Sequence, residues 1–226
     1  MSDSLFSNVH PYPVNLRLEG KPVLVVGAGS VAVRKVGHLL EAGAEVTVVG
    51  PVVDDRLWGL VDAYAEGVSP ASLHIEERSY RRSEVAAYML AITCTDDAEV
   101  NRQAHADGVV AGVWVNSADD PDNCDFTLMS VVRRGDLQFT ISTGGRTPAL
   151  AVYLRRRLEE EFTEEWAAVV DLLSEARDEV RDSFGTSEIA SWHEAIDDLL
   201  FDVVVDGRID RARDRLRSHL GLGVAA

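Results

Sequence analysis

The stretch VLVVGAGSVAVRK, residues 23–35, decides the fold of this protein. It joins a continuous apolar run to a glycine-rich turn and then to a segment with helical periodicity. The turn fits G-x-G-x-x-A, in which Gly27 permits a tight turn, Gly29 lets the backbone approach a pyrophosphate and Ala32 allows close helix–strand packing. A lone match is weak, but strand, turn and helix follow in the order of a first βαβ unit. The stretch therefore predicts a nucleotide-binding α/β domain rather than a purely structural turn.

Outward from this stretch, apolar strands alternate with helices up to about residue 115. The strand candidates after VLVVG are EVTVVG at 45–50, SLHIEER at 72–78, YMLAITCT at 88–95 and VAGVWV at 110–115. Strands that are apolar throughout and separated by helices indicate a parallel sheet covered on both faces. The sequence thus predicts an α/β domain with a Rossmann-like, doubly wound parallel sheet.

The pattern changes after this domain. Residues 126–143, FTLMSVVRRGDLQFTIST, hold two β-rich runs around Arg134-Gly135-Asp136, which predicts a hairpin. From Thr147 the chain becomes helical, with apolar residues spaced by three and four. Later helices are predicted at Ser187 to Val205 and at Arg208 to Leu220.

Charge and composition limit the class of protein. Of 226 residues, 38 are acidic and 22 are basic, and only Lys21 and Lys35 are lysines. A net charge of −16 disfavours nucleic acid as a partner. Acids spread along the whole chain suggest the solvated acidic surface of a halophilic protein. No apolar run is long enough for a membrane span, and the start lacks the features of a signal peptide, so we expect a cytoplasmic protein.

The sequence lacks a metal-ligand pattern and the usual acid for binding ribose. Cys94 and Cys124 form no CxxC pair and the histidines show no metal-ligand spacing, so no resident metal is expected. The acid that binds ribose should stand about 20 residues after the glycines, where the sequence has Val49-Gly50-Pro51. Asp54 and Asp55 follow closely and are candidates to replace it, although they better fit the cap of the next helix. The choice between NAD and NADP therefore stays open.

Two further segments carry polar groups that suit a ligand site. In STGGRTPAL, residues 142–150, Thr147 fits an N-cap and Pro148 the first helical position, while the glycines and Arg146 suit an anion. An anion site and a capped helix without ligand are equally open. In NSADDPDN, residues 116–123, a polar turn and a catalytic carboxylate are both open.

Four segments together resemble the precorrin-2 dehydrogenase and sirohydrochlorin ferrochelatase family. They are YPVNLRLEGKPVLVVGAGSVAVRKVGHLLEAGAEVTVVGP, AITCTDDAEVN, VNSADDPDNCDF and ISTGGRTPALAVYLRRRLE. The resemblance covers about residues 12–160, and G-x-G-x-VA-x-RK, VN-x-x-D and S-x-GG-x-x-P together make it specific. The chain looks like a stand-alone counterpart of the N-terminal part of the bifunctional sirohaem synthases.

The resemblance implies oxidation of precorrin-2 to sirohydrochlorin with NAD⁺, and in some members insertion of Fe²⁺ to give sirohaem. It also implies a homodimer. The expected organisation is an NAD-binding domain at 1–115, a β-rich dimerisation and active-site region at 116–147, and a helical C-terminal domain at 148–226.

The resemblance assigns site residues as well. It makes Asp119 the catalytic base, with Asp120 or Asp122 able to share the role, since a base must take the protons released in oxidation and metal insertion. Cofactor contacts are expected at Gly27, Gly29, Ser30, Val31, Pro51, Val52 and Thr95, with Asp96 as a further candidate. Substrate contacts are expected at Asn116, Ser142, Thr143, Gly144, Gly145, Arg146 and Thr147.

Two alternatives stay open beside this enzyme. One is a regulatory domain that senses NAD without converting a tetrapyrrole, and the other is a dehydrogenase for another small acid. Sensors of the first kind usually keep an acid after the second strand and lack S-x-GG-x-x-P, so both features disfavour that alternative. The glycine-rich loop alone does not exclude the second.

Overall fold

The computed structural model describes residues 10–64, 70–118, 120 and 123–223. They divide into two compact units, one ending at Leu128 and the other beginning at Met129. The first unit contains a parallel sheet with helices, and the second contains a two-stranded hairpin and further helices. The predicted fold class is confirmed, while the finer division at residues 115 and 147 remains a prediction.

The first unit is built on a five-stranded sheet in which all neighbours are parallel. Its strands are β1 (Pro22–Val26), β2 (Glu45–Val49), β3 (Ser72–Glu76), β4 (Leu90–Thr93) and β5 (Trp114–Ser117), in the order β3-β2-β1-β4-β5. Its helices are α1 (Ser30–Glu41), α2 (Asp55–Ala63) and α3 (Ala98–Ala111), with a short 3-10 helix at Glu84–Ala87.

Strand β1 shows why the predicted strands are apolar throughout. Val23 and Val25 belong to a core cluster that includes residues of α1 and α2. Leu24 and Val26 belong to a separate cluster that includes Val85 of the 3-10 helix. Because side chains alternate between the faces of a strand, both faces of β1 are buried and every position is apolar.

The strand predicted at 110–115 is wrong in its bounds. Helix α3 continues to Ala111, and Gly112 ends it in the left-handed conformation, with φ 70°. Glycine adopts this conformation without a Cβ penalty and is the usual residue after a helix end. Val109 and Val110 are exposed on the helix, so one apolar run in the sequence joins a helix surface to a buried strand.

A buried carboxylate connects α3 to the loop before β4. Asp107, 8% exposed, accepts hydrogen bonds from the Ser83 N–H (2.7 Å), the Tyr80 hydroxyl (2.9 Å) and the Gln103 amide (2.7 Å). Ser83 has φ 65°, so the carboxylate holds a non-glycine residue in the left-handed region. Burial alone would raise the pKa of Asp107, but these hydrogen bonds outweigh burial and lower it below the ordinary value of 3.8.

We expect Asp107→Asn to lower the free energy of unfolding by about 2–3 kcal/mol at pH 7, because it removes charge-assisted hydrogen bonds at a buried site. A carboxyl group with a lowered folded pKa stabilises the protein above its unfolded pKa and loses this effect as pH falls through the folded value. The difference between the variant and the wild type should therefore shrink below about pH 4.

Urea unfolding between pH 3 and 7 measures this difference. The control is Asp178→Asn, which removes an exposed carboxylate of the second unit that pairs with Arg181 and should cost under about 0.5 kcal/mol. A difference for Asp107→Asn that is independent of pH would contradict the linkage.

The second unit begins with the hairpin that the sequence predicts. Strands β6 (Ser130–Arg134) and β7 (Leu137–Ile141) pair antiparallel around Gly135 and Asp136. Its helices are α4 (Pro148–Glu161), α5 (Trp166–Phe184), α6 (Trp192–Ala195), α7 (Asp198–Val205) and α8 (Ile209–His219). A separate apolar core lies among α5, α7 and α8. Within the described residues no helix is long and apolar enough to cross a membrane.

Side chains divide the predicted helical stretches. Arg134 of the hairpin donates to the carbonyl oxygens of Phe162 (2.6 Å) and Glu159 (3.2 Å), which caps the end of α4. The stretch predicted from Ser187 to Val205 is interrupted because Asp197 caps α7, where its carboxylate accepts from the Leu200 N–H at 2.9 Å. Both interruptions depend on tertiary contacts or caps that override periodicity.

Candidate functional site

The candidate site lies at the carboxyl edge of the parallel sheet. Strand β1 has β2 on one side and β4 on the other, so the direction of the connections reverses between β1 and β4. Ligands of open α/β sheets bind outside the carboxyl ends of the strands at this reversal. The glycine-rich loop follows β1 and Thr95 follows β4, which places both predicted cofactor segments at this point.

Gly27 is required by its surroundings. Its φ is +104°, and a Cβ atom there would lie 2.7 Å from the carbonyl carbon of Cys94 and 2.7 Å from the nitrogen of Thr95. Its own N–H donates to the carbonyl oxygen of Val49 at 2.8 Å. The loops after β1 and β4 therefore approach each other so closely only because residue 27 has no side chain.

Gly29 is glycine for a different reason. It is the N-cap of α1, and a Cβ atom built there would meet no other atom within 4 Å. No side chain caps this helix in the described part of the chain, and Gly29, Ser30 and Val31 are exposed. Packing within the protein thus does not demand a glycine, whereas the close approach of a pyrophosphate to the first N–H groups of the helix does. The residues present fit a dinucleotide.

The loop after β2 covers the glycine-rich loop. A Cβ atom on Gly50 would lie 2.7 Å from the Cβ of Ala28, and the Asp54 N–H donates to the Ala28 carbonyl oxygen at 2.9 Å. Pro51 and Val52 are exposed beside this contact. The glycine-rich loop and the loop after β2, which should both contact a dinucleotide, are therefore held together by close packing and a backbone hydrogen bond.

Asp54 is the N-cap of α2, as the sequence predicts. Its carboxylate accepts from the Arg56 N–H at 3.1 Å and forms an ion pair with the Arg56 guanidinium at 2.7 Å. Hydrogen bonds from the Arg56 side chain and backbone lower the pKa of Asp54 to about 2. This carboxylate is consequently ionised throughout the neutral range.

An open pocket of about 340 Å³ lies at the carboxyl ends of β4 and β5. Thr95, Asp96, Ala98, Asn101 and Asp120 line it. The pocket therefore brings the predicted cofactor residue Thr95 together with Asp120, one of the three carboxylates of the polar segment. Asp119, Pro121 and Asp122 lie outside the described residues.

Buried and partly buried hydrogen bonds hold both ends of the loop that carries Asp120. At its start, the hydroxyls of Ser117 and Thr93 are 2.7 Å apart in the interior, and the Asn116 amide donates to the Phe126 carbonyl oxygen at 2.8 Å. At its end, the Asp125 carboxylate accepts from the Val115 N–H at 2.8 Å. The Asn116 side chain, predicted to contact substrate, is only 6% exposed and supports this loop.

Sequence reasoning missed three of these supporting residues, namely Thr93, Ser117 and Asp125. Polar side chains at the ends of apolar strands were the available signal. Cys124 closes the same loop, because the Ser117 N–H donates to its sulfur at 3.2 Å and its thiol donates to the Asp120 carbonyl oxygen at 3.3 Å. Burial raises the pKa of the Cys124 thiol, which keeps it a neutral donor.

The segment from Ser142 to Thr147 has the local structure that the sequence predicts. Thr147 is the N-cap of α4 and Pro148 occupies its first position. Gly144 and Gly145 have φ of 61° and 75°, and the Gly144 N–H faces the Ser142 hydroxyl at 3.3 Å. Most of the segment is exposed, Arg146 included. It offers hydroxyls, N–H groups and one cation to an anion.

Two family models match the chain. One, described as NAD(P)-binding, covers residues 14–130, and the other, described as the central region of a sirohaem biosynthesis protein, covers residues 134–161. This chain belongs to the NAD(P)-binding family. Its membership confirms the prediction of a nicotinamide dinucleotide cofactor.

The relatives of this chain confirm its predicted resemblance to the precorrin-2 dehydrogenase and sirohydrochlorin ferrochelatase family. A siroheme synthase of Nitrosomonas europaea is 35% identical to this chain, and the match covers 92% of this chain and 43% of the relative. A siroheme synthase of Tolumonas auensis is also 35% identical, and the match covers 81% of this chain and 38% of the relative. The chain thus spans about two-fifths of the length of these relatives. The solved structure of SirC, a precorrin-2 dehydrogenase, has the same fold, with a TM-score of 0.63, 22% identity, and coverage of 93% of this chain and 98% of that one.

Proposed function

We propose that this protein oxidises precorrin-2 to sirohydrochlorin with NAD⁺. The observation that carries the proposal is the meeting of the glycine-rich loop, Thr95 and Asp120 at one edge of the sheet. The siroheme synthase relatives and the fold shared with a precorrin-2 dehydrogenase support the choice of substrate. The reaction converts precorrin-2 and NAD⁺ into sirohydrochlorin, NADH and a proton.

Within this proposal, the chain binds the dinucleotide and accepts the proton that the substrate releases. Gly27, Gly29, Ser30 and Val31 would hold the pyrophosphate on the N-terminus of α1, with Pro51, Val52 and Thr95 beside it. When bound, the nicotinamide accepts the hydride that leaves the macrocycle. Asp119 would accept the accompanying proton, since a carboxylate just beyond β5 lies where ligands of such sheets bind.

The substrate's carboxylates would bind at the segment from Ser142 to Thr147. Its N–H groups, its hydroxyls and Arg146 form a local attractive site on a chain whose net charge is −16. Such a site is needed because the overall charge repels a polyanion, and salt screens that repulsion. Asn116 would act by holding the aspartate-bearing loop.

Insertion of Fe²⁺ is a second reaction that the same base would serve, because pyrrole N–H protons must leave as the metal enters. Iron would then be a substrate. Among the described residues, no group of three or more His, Cys, Asp and Glu side chains is arranged to hold a metal ion.

The test is an anaerobic assay with purified protein, precorrin-2 and NAD⁺ in concentrated KCl. NADH formation and the sirohydrochlorin spectrum should rise together, and neither should rise without NAD⁺. A folded protein that binds NADH but leaves precorrin-2 unchanged would overturn the proposal and favour an NAD sensor. Adding Fe²⁺ after oxidation tests for sirohaem by its absorbance.

We also propose that the protein is a homodimer that uses one face of α4. This helix has no buried residue, and it exposes three large apolar or aromatic side chains. Their exposed fractions are 46% for Leu150, 56% for Tyr153 and 37% for Leu154. At 3.6 residues per turn these three side chains share one face, which leaves an apolar strip on a charged surface. A second copy of the chain would cover this strip, which begins directly after the region at 116–147 that the resemblance assigns to dimerisation.

We expect Leu150→Asp to dissociate the dimer, because it places a charge in the proposed apolar interface. Light scattering after size exclusion measures the mass. The control is Val152→Asp, since Val152 is 41% exposed on the opposite face of α4 and the dimer should persist. Equal masses for the two variants would contradict the proposed interface.

We further propose a salt-requiring, halophilic protein. With 38 acidic residues against 22 basic ones, self-repulsion should destabilise the fold at low ionic strength and screening should relieve it. The midpoint of each thermal unfolding transition is therefore expected to rise as KCl increases from low to multimolar concentration. Loss of structure at high KCl would contradict this expectation.

A further inference from the structure

The residues after β2 carry an inference about cofactor choice, which rests on the dinucleotide site of the proposed function. NAD and NADP differ at the ribose 2′ position, which is a hydroxyl in one and a phosphate in the other. In this class of fold an acid at the end of the second strand accepts from the hydroxyl, and a nearby arginine accommodates the phosphate. Here β2 ends at Val49 and is followed by Gly50, Pro51 and Val52, none of which is charged.

Asp54 is the first charged side chain after β2, and its backbone lies against the glycine-rich loop. The Asp54 N–H donates to the Ala28 carbonyl oxygen at 2.9 Å, one residue after Gly27. The Asp54 side chain is 22% exposed. A carboxylate attached to this backbone is therefore available to a ligand held by the glycine-rich loop.

Arg56 neutralises this carboxylate with a fixed geometry. Its Nε donates to Asp54 Oδ1 at 2.9 Å and its Nη2 donates to Oδ2 at 2.7 Å, while its backbone N–H donates to Oδ1 at 3.1 Å. A carboxylate has about four acceptor positions. Three are used here, all by Arg56, and the remaining position on Oδ2 can accept one hydroxyl.

The guanidinium itself stays available to solvent, because the Arg56 side chain is 62% exposed. A group that neutralises a carboxylate also weakens the repulsion which that carboxylate would exert on a phosphate. Asp55, exposed in the next position, adds a second negative charge. The wild-type chain thus carries an acceptor suited to a hydroxyl and a cation that partly offsets its charge.

We propose that Asp54 and Arg56 are opposed specificity determinants for the ribose 2′ position. Asp54 favours the hydroxyl of NAD, and Arg56 limits how strongly the phosphate of NADP is repelled. Together they replace the acid that the end of β2 lacks.

Opposite shifts in two variants distinguish this role from a structural one. Asp54→Asn keeps a side chain that caps helices well, removes the charge and releases Arg56, so NADPH should bind about fivefold more tightly. Arg56→Gln leaves the Asp54 charge uncompensated, so NADPH should bind about fivefold more weakly. NADH affinity should change less than NADPH affinity in both variants.

The measurement is a fluorescence titration of NADH and NADPH with the wild type and each variant, at one KCl concentration, the lowest at which all of them remain folded. The control is Arg208→Gln, because Arg208 forms the same type of pair two residues from Asp206, at 2.5 Å, in the second unit. It should leave both dissociation constants unchanged, and far-UV circular dichroism checks the fold.

Opposite shifts in the NADPH to NADH affinity ratio support the proposal. Ratios that move in the same direction, or that match the control while NADH still binds, overturn it and leave the proposed function intact. A folded wild type that binds neither nucleotide overturns the dinucleotide site and the proposed function with it.

Discussion

Gly27→Ala is expected to lower the free energy of unfolding by about 2–5 kcal/mol and to abolish tight NAD binding. The new Cβ would lie 2.7 Å from two backbone atoms of the Cys94–Thr95 segment, and φ at this residue is +104°. Backbone cannot move aside as a flexible side chain can, so either the loop after β1 or the loop after β4 must shift. Both loops contribute to the proposed cofactor site.

Gly29→Ala is the matched control for this prediction. A methyl group at residue 29 would meet no protein atom within 4 Å, and the residue is not in the left-handed region. Its stability should change by less than about 1 kcal/mol, while NAD affinity falls because the methyl group occupies space needed by the pyrophosphate. Urea unfolding and NADH titration of both variants measure the two effects. Equal stability losses would contradict the separate roles of these glycines.

This pair of glycines shows what the sequence could and could not predict. The pattern G-x-G-x-x-A identified both positions, since their spacing follows from local backbone geometry. The contact that makes Gly27 necessary involves Cys94 and Thr95, which are distant in sequence, and no local pattern reports it. The capping role of Asp54 was predictable because a cap is a local interaction, whereas its ion pair with Arg56 depends on side-chain conformation.

The same distinction explains the errors in the helical regions. Periodicity located the helices but not the interruption after α4, where Arg134 of the hairpin donates to carbonyl oxygens near the helix end. Likewise, no local pattern indicates that Asp107 of α3 is buried, because its hydrogen-bond partners Tyr80 and Ser83 come from another loop. Both cases require knowledge of which segments meet.

Asp119→Asn is expected to lower the rate of precorrin-2 oxidation about 100-fold to 10,000-fold, the range that a positioned base contributes. The amide keeps the shape of the side chain but cannot accept a proton. NADH affinity should stay within about twofold of the wild type, because the proposed cofactor contacts lie on other loops. Single-turnover formation of NADH under anaerobic conditions measures the rate, and the NADH titration measures binding.

Asp120→Asn provides the comparison for the catalytic assignment. Asp120 lines the pocket and its carboxylate accepts from the Asn123 amide at 2.6 Å, so it already has one structural partner. We expect its loss to slow oxidation less than the loss of Asp119 does. A larger effect at Asp120 would indicate that Asp120 is the base. Full activity in both variants would indicate that the polar segment is a turn without a catalytic role.

The separate hydrophobic cores of the two units affect how this protein will melt. Side chains from β1 and its neighbours fill the cores of the first unit, and side chains from α5, α7 and α8 fill that of the second. A chain whose two units have separate cores need not unfold in one cooperative step, so a single melting temperature has no fixed meaning for it. Because a ligand stabilises only the state that binds it, NAD should raise the calorimetric transition of the sheet-containing unit more than that of the helical unit.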